Sequence, residues 1–247
     1  MAFQHNNRRR RGKSRLFIIL ILFLILLLSV FINNSINNND NYMKVSSSSD
    51  NHNRDQNSNT PFKVVIDPGH GGKDVGASSA SGQYEKDFTL SVSRKVEKLL
   101  EKEPQIQVFM TRTDDSFISQ ESRYRPKYAN NLNADLFISI HGNTFTNPNV
   151  SGTETYYYHN NSRHFAETMQ EHVAEATGFR DRGIMVKDLF VIKDTKMPGA
   201  LIEVGYLTNP EDEFKMWADE FQNRVATAIV EGVKEYIYGE KGIIAKN

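Results

Sequence analysis

Four polar side chains stand where apolar ones are expected, and each is of a type that serves hydrolytic chemistry. The run VVIDPGHGG over 64–72 reads as an apolar strand ending in a glycine-rich turn, which puts His70 at the strand's carboxyl end. The run LFISIHGN over 136–143 repeats the device with His141, followed by a small residue and Asn143. Between them, Phe88, Val92, Val96 and Leu99 recur every three to four residues, the period of a helix with one apolar stripe. Glu85 extends that stripe at the helix N-terminus, facing inward at the positive end of the helix dipole. Glu203 interrupts the apolar run ALIEVG over 200–205, where a lone carboxylate is costly to bury unless it is paired or used.

Taken singly, each residue has an ordinary reading. His70 is a turn histidine, Glu85 a capping glutamate with Gly82 as N-cap, and Glu203 half of a buried ion pair. Taken together, His70, Glu85 and His141 form the two-histidine, one-carboxylate set that suits a catalytic zinc with an open position. Glu203 then has the chemistry of the general base of zinc amide hydrolysis. Asn143, on the same loop as His141, is a candidate substrate contact. The glycines do not make a phosphate loop: G-x-x-x-x-G-K-[ST] is absent, and Asp74 stands where G-x-G-x-x-G needs its third glycine. They let the backbone fold tightly around His70. His159, His164 and His172 show no H-E-x-x-H spacing and read as solvated surface. Asp67 reads as a turn residue or a support for the ligands, and Tyr156, Tyr157 and Tyr158 as strand packing. The chain has no cysteine, which excludes disulfides, a thiol nucleophile, Cys-ligated zinc and iron–sulfur clusters.

The elements that must position these residues alternate along 61–247. Strand-like apolar runs lie at 63–66, 107–111, 136–141, 154–158, 189–192 and 200–204, and helical stretches at 84–103, 119–132, 161–177, 210–217 and 221–238. Pro126 makes the second helix start late or kink. Such alternation predicts one α/β domain with a mostly parallel sheet covered by helices, whose active site gathers at the carboxyl ends of the strands.

The 30 Lys and Arg balance the 30 Asp and Glu, which argues against a nucleic-acid partner. The balance hides an asymmetry: residues 1–15 carry six basic side chains and no acid, so the remainder bears a formal charge of −6. Immediately after them, 16–32 is 17 residues with one Ser and no charge. At about 1.5 Å per residue it reaches roughly 25 Å, the short end of a transmembrane helix. The basic flank predicts a cytoplasmic N-terminus with everything after Ile32 outside. The segment lacks the small-residue site of a cleaved signal peptide, so an uncleaved anchor is the reading favoured over secretion after cleavage. Residues 33–60, with ten Asn and six Ser, read as a disordered linker that tethers the domain of 61–247 at the membrane.

At this point the sequence resembles a family, the zinc-dependent N-acetylmuramoyl-L-alanine amidases of bacterial cell-wall turnover, of the amidase-3 type. The resemblance runs through VVIDPGHGG (64–72), YEKD (84–87), RPKYANNLNADLFISIHGN (125–143), SGTETYYY (151–158), RDRGI (180–184) and KMPGALIEVGYLTNP (196–210). It implies a six-stranded sheet flanked by helices, zinc on His70, Glu85 and His141, Glu203 as the catalytic glutamate, and peptidoglycan as substrate. The membrane-anchored layout also resembles the germination-specific spore-cortex amidases. Two readings compete: a wall-binding protein on a degenerate enzyme fold, and a zinc peptidase cutting within the stem peptide.

Overall fold

The computed structural model describes residues 60–239. The basic segment, the apolar segment 16–32 and all of the linker but Thr60 lie outside the described residues. No helix among those described is long and apolar enough to cross a membrane.

Six strands form one sheet: β1 (Phe62–Pro68), β2 (Ile106–Met110), β3 (Leu136–Asn143), β4 (Thr153–Tyr157), β5 (Asp181–Val186) and β6 (Gly199–Tyr206), in the order β2-β1-β3-β6-β4-β5. All neighbours are parallel except β4 and β6. Six helices flank the sheet: α1 (Glu85–Leu100), α2 (Tyr124–Asn131), α3 (Arg163–Thr177), α4 (Phe190–Lys193), α5 (Pro210–Met216) and α6 (Asp219–Tyr238). After β1 the chain crosses to β2 on one side and returns to β3 on the other. That reversal opens a crevice at the carboxyl ends of β1 and β3, where open α/β sheets bind their ligands.

The alternation of each strand decides the two faces. Val64, Ile66, Ile138, Ile140, Ala200 and Ile202 pack under α1, α3 and α6. Val65, Phe137 and Leu201 point the other way and meet Val191 and Ile192. The stripe of α1 holds, with Leu100 rather than Leu99 as its fully buried last member. Asn209 caps α5 by accepting the amides of Glu211 and Asp212, with Pro210 in the first turn. The second helix starts late, as Pro126 predicts: it begins at Tyr124, after Arg123 in the left-handed region.

Two expectations fail together. The run 189–192 is not a strand; Phe190–Lys193 is a single helical turn that lays Val191 and Ile192 against the sheet. A cover on an apolar face buries the same β-branched residues that a strand does. The sixth strand is instead Asp181–Val186, an edge strand that pairs only with β4 and is nowhere fully buried. With one neighbour and no buried face it shows no apolar pattern.

At the carboxyl end of β1, Asp67 is completely buried. It accepts hydrogen bonds from Arg125 Nη1 at 2.5 Å, Thr111 Oγ1 at 2.5 Å and Ser139 Oγ at 2.7 Å. Burial alone raises its pKa, but the Arg125 charge and the three hydrogen bonds outweigh it and hold the carboxyl below its ordinary range. We expect Asp67→Asn to lower the unfolding free energy by about 3 kcal/mol at neutral pH, since Arg125 is left buried without a counter-charge. The depressed carboxylate stabilises the fold above its unfolded pKa of about 3.9, and that contribution is lost as pH falls through the folded value. Urea unfolding of the two proteins at pH 7, 5 and 3 checks this: the gap is expected to persist at pH 5 and shrink only below about pH 4. A gap under 1 kcal/mol at pH 7 would contradict the role given to the pair.

Candidate active site

Three elements bring the predicted residues together. His70 leaves β1 in the left-handed region, with φ 61°, where a non-glycine residue needs its surroundings to hold it. Two buried arginines do so. Arg125 donates to the carbonyls of Pro68 at 2.7 Å and His70 at 2.7 Å. Arg112 donates to those of Pro68 at 3.1 Å and Gly69 at 2.8 Å. Glu85 opens α1 and turns its carboxylate inward, where Oε2 accepts the Ala77 amide at 2.8 Å and Oε1 the Gly142 amide at 3.1 Å. Glu85 is therefore not a capping residue, and Gly82 is not the cap; Tyr84 occupies that position without a side-chain bond. His141 comes from β3, one residue before its register with β6 shifts.

Both carboxylate oxygens of Glu85 face an imidazole: His70 Nε2 at 3.1 Å and His141 Nδ1 at 2.9 Å. The rings meet edge to face, 5.0 Å between centres. The three donor atoms lie within 4.8 Å of one another, and no other group of three or more such side chains is found among the described residues. His70 Nδ1 lies 2.9 Å from Asp74 Oδ1. Since a carboxylate only accepts, Nδ1 donates to Asp74, and a cation held in the cluster would meet the lone pair of Nε2. Burial lowers the pKa of His70, but Glu85 and Asp74 outweigh it and raise it. Burial likewise opposes the ionisation of Glu85, but the two imidazoles hold its carboxyl far below the ordinary range. Two nitrogens and one ionised oxygen, borderline and hard donors without sulfur, fit one zinc-like divalent cation.

Two glycines make this approach possible. A Cβ on Gly69 would stand 2.3 Å from His141 Cε1. One on Gly76, whose φ is +67°, would stand 2.6 Å from both Glu85 Oε2 and His70 Cδ2.

Glu203 lies beside His141 in the β3–β6 register and beside Glu154 in the β4–β6 register. Its Oε2 is out of contact with solvent and has no hydrogen-bond partner. Burial first, then the charges of Glu85 and Glu154, raise its pKa well above the ordinary value. It is not half of a buried ion pair. Glu154, only 2% exposed, is the satisfied neighbour. It accepts from Asn143 Nδ2 at 2.9 Å, from Arg182 Nε at 3.2 Å and, in a short bond, from the Tyr206 hydroxyl.

Asn143 sits at the site as expected, but its amide is engaged within the protein: Nδ2 serves Glu154 and the Tyr156 hydroxyl, and Oδ1 accepts the Thr144 amide. His159, His164 and His172 stay outside the cluster, though none is simply solvated. His159 bonds the Lys193 carbonyl, His172 pairs with Glu235 and His164 lies against Tyr236. Sequence reasoning missed Arg112, Arg125, Glu154 and Arg182. Glu154 alone carried a signal, the one that exposed Glu203: a carboxylate at an inward position of a strand.

The fold and the geometry of this site are those of one family: the chain belongs to the amidase-3 family of N-acetylmuramoyl-L-alanine amidases, whose model matches residues 64–235. The probable cell wall amidase LytH of Staphylococcus aureus is 38% identical over 176 residues, covering 70% of this chain and 57% of LytH. The chain thus spans little more than half the length of that curated relative. Among solved structures, the catalytic domain of CwlV, an N-acetylmuramoyl-L-alanine amidase from Bacillus (Paenibacillus) polymyxa var. colistinus, is 45% identical with a TM-score of 0.69, covering 71% of this chain and 98% of that one. The N-acetylmuramoyl-L-alanine amidase of Clostridium difficile 630 is 39% identical with a TM-score of 0.70, covering 73% and 99%.

Gly76→Ala tests the geometry directly. It is expected to weaken zinc affinity by about tenfold or more, since displaced supports of metal ligands typically cost that much. Competition with a chromophoric chelator measures it, with circular dichroism to confirm the fold. Unchanged affinity would show that the carboxylate of Glu85 is free to move and does not depend on the glycine.

Proposed function

We propose that the protein hydrolyses the amide bond between the lactyl group of N-acetylmuramic acid and L-alanine in peptidoglycan. The observation that carries this reading is the juxtaposition of a three-donor cluster with one buried carboxylate oxygen that has no partner. A structural glutamate would be satisfied, as Glu154 is; an unsatisfied one in a crevice is poised for a proton.

His70, Glu85 and His141 would hold one zinc ion. When bound, zinc supplies Lewis acidity, polarising a carbonyl and bringing the pKa of a water to about 7. Glu203 accepts a proton from the attacking water and returns it to the departing nitrogen of L-alanine. Burial and the neighbouring Glu85 and Glu154 raise its pKa, which strengthens it as a proton acceptor relative to an ordinary carboxylate. Asp74 keeps the His70 proton on Nδ1, and the Gly142 and Ala77 amides keep Glu85 from rotating. The products are glycan strands and free stem peptides.

The residues before the domain support a further part of the proposal. A basic cluster at 1–15 followed by an uncharged apolar segment at 16–32 suits a single-pass anchor with its N-terminus in the cytoplasm. The polar segment 33–60 would then tether the catalytic domain of 61–247 outside, within reach of the wall.

Full-length protein in detergent, incubated with purified peptidoglycan, tests the activity by new amino termini and fragment masses. Peptides beginning with L-alanine are expected, and a chelator is expected to abolish them. Internal peptide cuts would overturn the amidase reading in favour of a peptidase. Glu203→Gln is expected to keep zinc by elemental analysis while losing about 10²- to 10⁴-fold in rate, the usual worth of a general base. Near-normal turnover would remove Glu203 from that role. His141→Ala is expected to lose zinc and activity together.

A further inference from the structure

The motif RDRGI at 180–184 has no part in the chemistry above, yet the fold spends several features on one of its side chains. On β5 the register passes from Asp181, opposite Thr153, to Ile184, opposite Thr155. Two residues, Arg182 and Gly183, therefore oppose the single Glu154. This is a β-bulge, with Gly183 at φ 76°, and bulges next to active sites re-aim side chains. Here the bulge sets Arg182 against Glu154, which lies opposite Glu203 across the β4–β6 pair. Its aliphatic stem lies on Gly152, where a Cβ would stand 2.6 Å from Cδ and 2.7 Å from Cγ. Its Nε bonds the buried Glu154 at 3.2 Å, and its guanidinium carbon stands 5.4 Å from the Tyr206 ring centre. Three supports thus fix a side chain that is still 31% exposed. Among the described residues, neither Nη is bonded to an acceptor. The two Nη groups, the fork that binds carboxylates in bidentate fashion, are thus free on a side chain that its Nε bond and ring contact hold in place.

We propose that Arg182 is a specificity-determining residue of this amidase, reading the free carboxylate of the second residue of the stem peptide. The proposal rests on the amidase reading. The order β3-β6-β4-β5 puts His141, Glu203, Glu154 and Arg182 in one row across the sheet. With strands about 4.8 Å apart, Arg182 stands about 10 Å from Glu203. A stem peptide continues from L-alanine to a glutamate linked onward through its γ-carboxyl, which leaves the α-carboxylate free or amidated. At about 3.8 Å between consecutive Cα atoms, that carboxylate lies roughly 8 Å from the scissile carbonyl. Reach and charge therefore agree. The glycan on the other side of the scissile bond is not the match, since it offers no anion at this spacing along the leaving group.

The test uses zinc-loaded full-length protein and two synthetic muramyl peptides that differ only in the second residue, glutamate with a free α-carboxylate or its α-carboxamide. The native protein is expected to favour the free carboxylate by about tenfold or more in kcat/KM, mostly through KM, as a charge-assisted hydrogen bond would give. Arg182→Gln is expected to bring the ratio close to one, and Arg182→Lys to restore part of it. A merely structural Arg182 would change both substrates alike, so an unchanged ratio in Arg182→Gln overturns the proposal and leaves the amidase standing. No preference in the native protein overturns it likewise. Release from neither substrate by the zinc-loaded native protein overturns the amidase reading and this one with it.

Discussion

The site depends on a buried ion pair below it. Asp67 and Arg125 neutralise each other at the carboxyl end of β1, and Arg125 spends its other N–H groups on the carbonyls of Pro68 and His70. Arg112 adds bonds to Pro68 and Gly69. A turn whose carbonyls point into the protein would carry unsatisfied acceptors without them. With them, the turn holds His70 in a backbone conformation that costs energy by itself and presents its ring to Glu85. The glycines of the turn serve the same end from the other side, because His141 occupies the space that a side chain at Gly69 would need.

Above that support, three glutamates of identical chemistry have three different fates. Glu85 faces two imidazoles and two backbone amides and is held ionised. Glu154 is satisfied by an amide, a hydroxyl and a guanidinium. Glu203, opposite Glu154 in the sheet, has an oxygen with no donor and two like charges nearby. Environment alone sets the three apart. The antiparallel pairing of β4 with β6 sets Glu154 opposite Glu203.

A row of charged side chains along one end of a sheet also gives the crevice a direction. The His70–Glu85–His141 cluster lies over β1 and β3, Glu203 over β6, and the partly exposed guanidinium of Arg182 over the edge strand β5. The central strands β1 and β3, buried along most of their length, lead into the two histidines. The edge strand carries the side chain proposed to read the substrate, where a bulge is tolerated because only one neighbour's pairing is disturbed.

The amino-acid sequence by itself determined the α/β alternation and the four residues that intrude on apolar patterns. His70, Glu85, His141 and Glu203 were legible because burial of a polar group is costly, so its presence on an apolar stripe or strand is itself a signal. What had no such contrast stayed invisible. The edge strand Asp181–Val186 has no buried face, while the helical turn Phe190–Lys193 has the composition of a strand because it covers one. Only the tertiary structure decided the supports. Arg112 and Arg125 bond backbone carbonyls 43 to 57 residues away, and carbonyls are the same in every sequence. Arg182 and Glu154 meet across a bulge 28 residues apart. A long polar side chain reads as surface until the fold brings it a buried partner, and that partner is set by strand order and register rather than by neighbours in the chain.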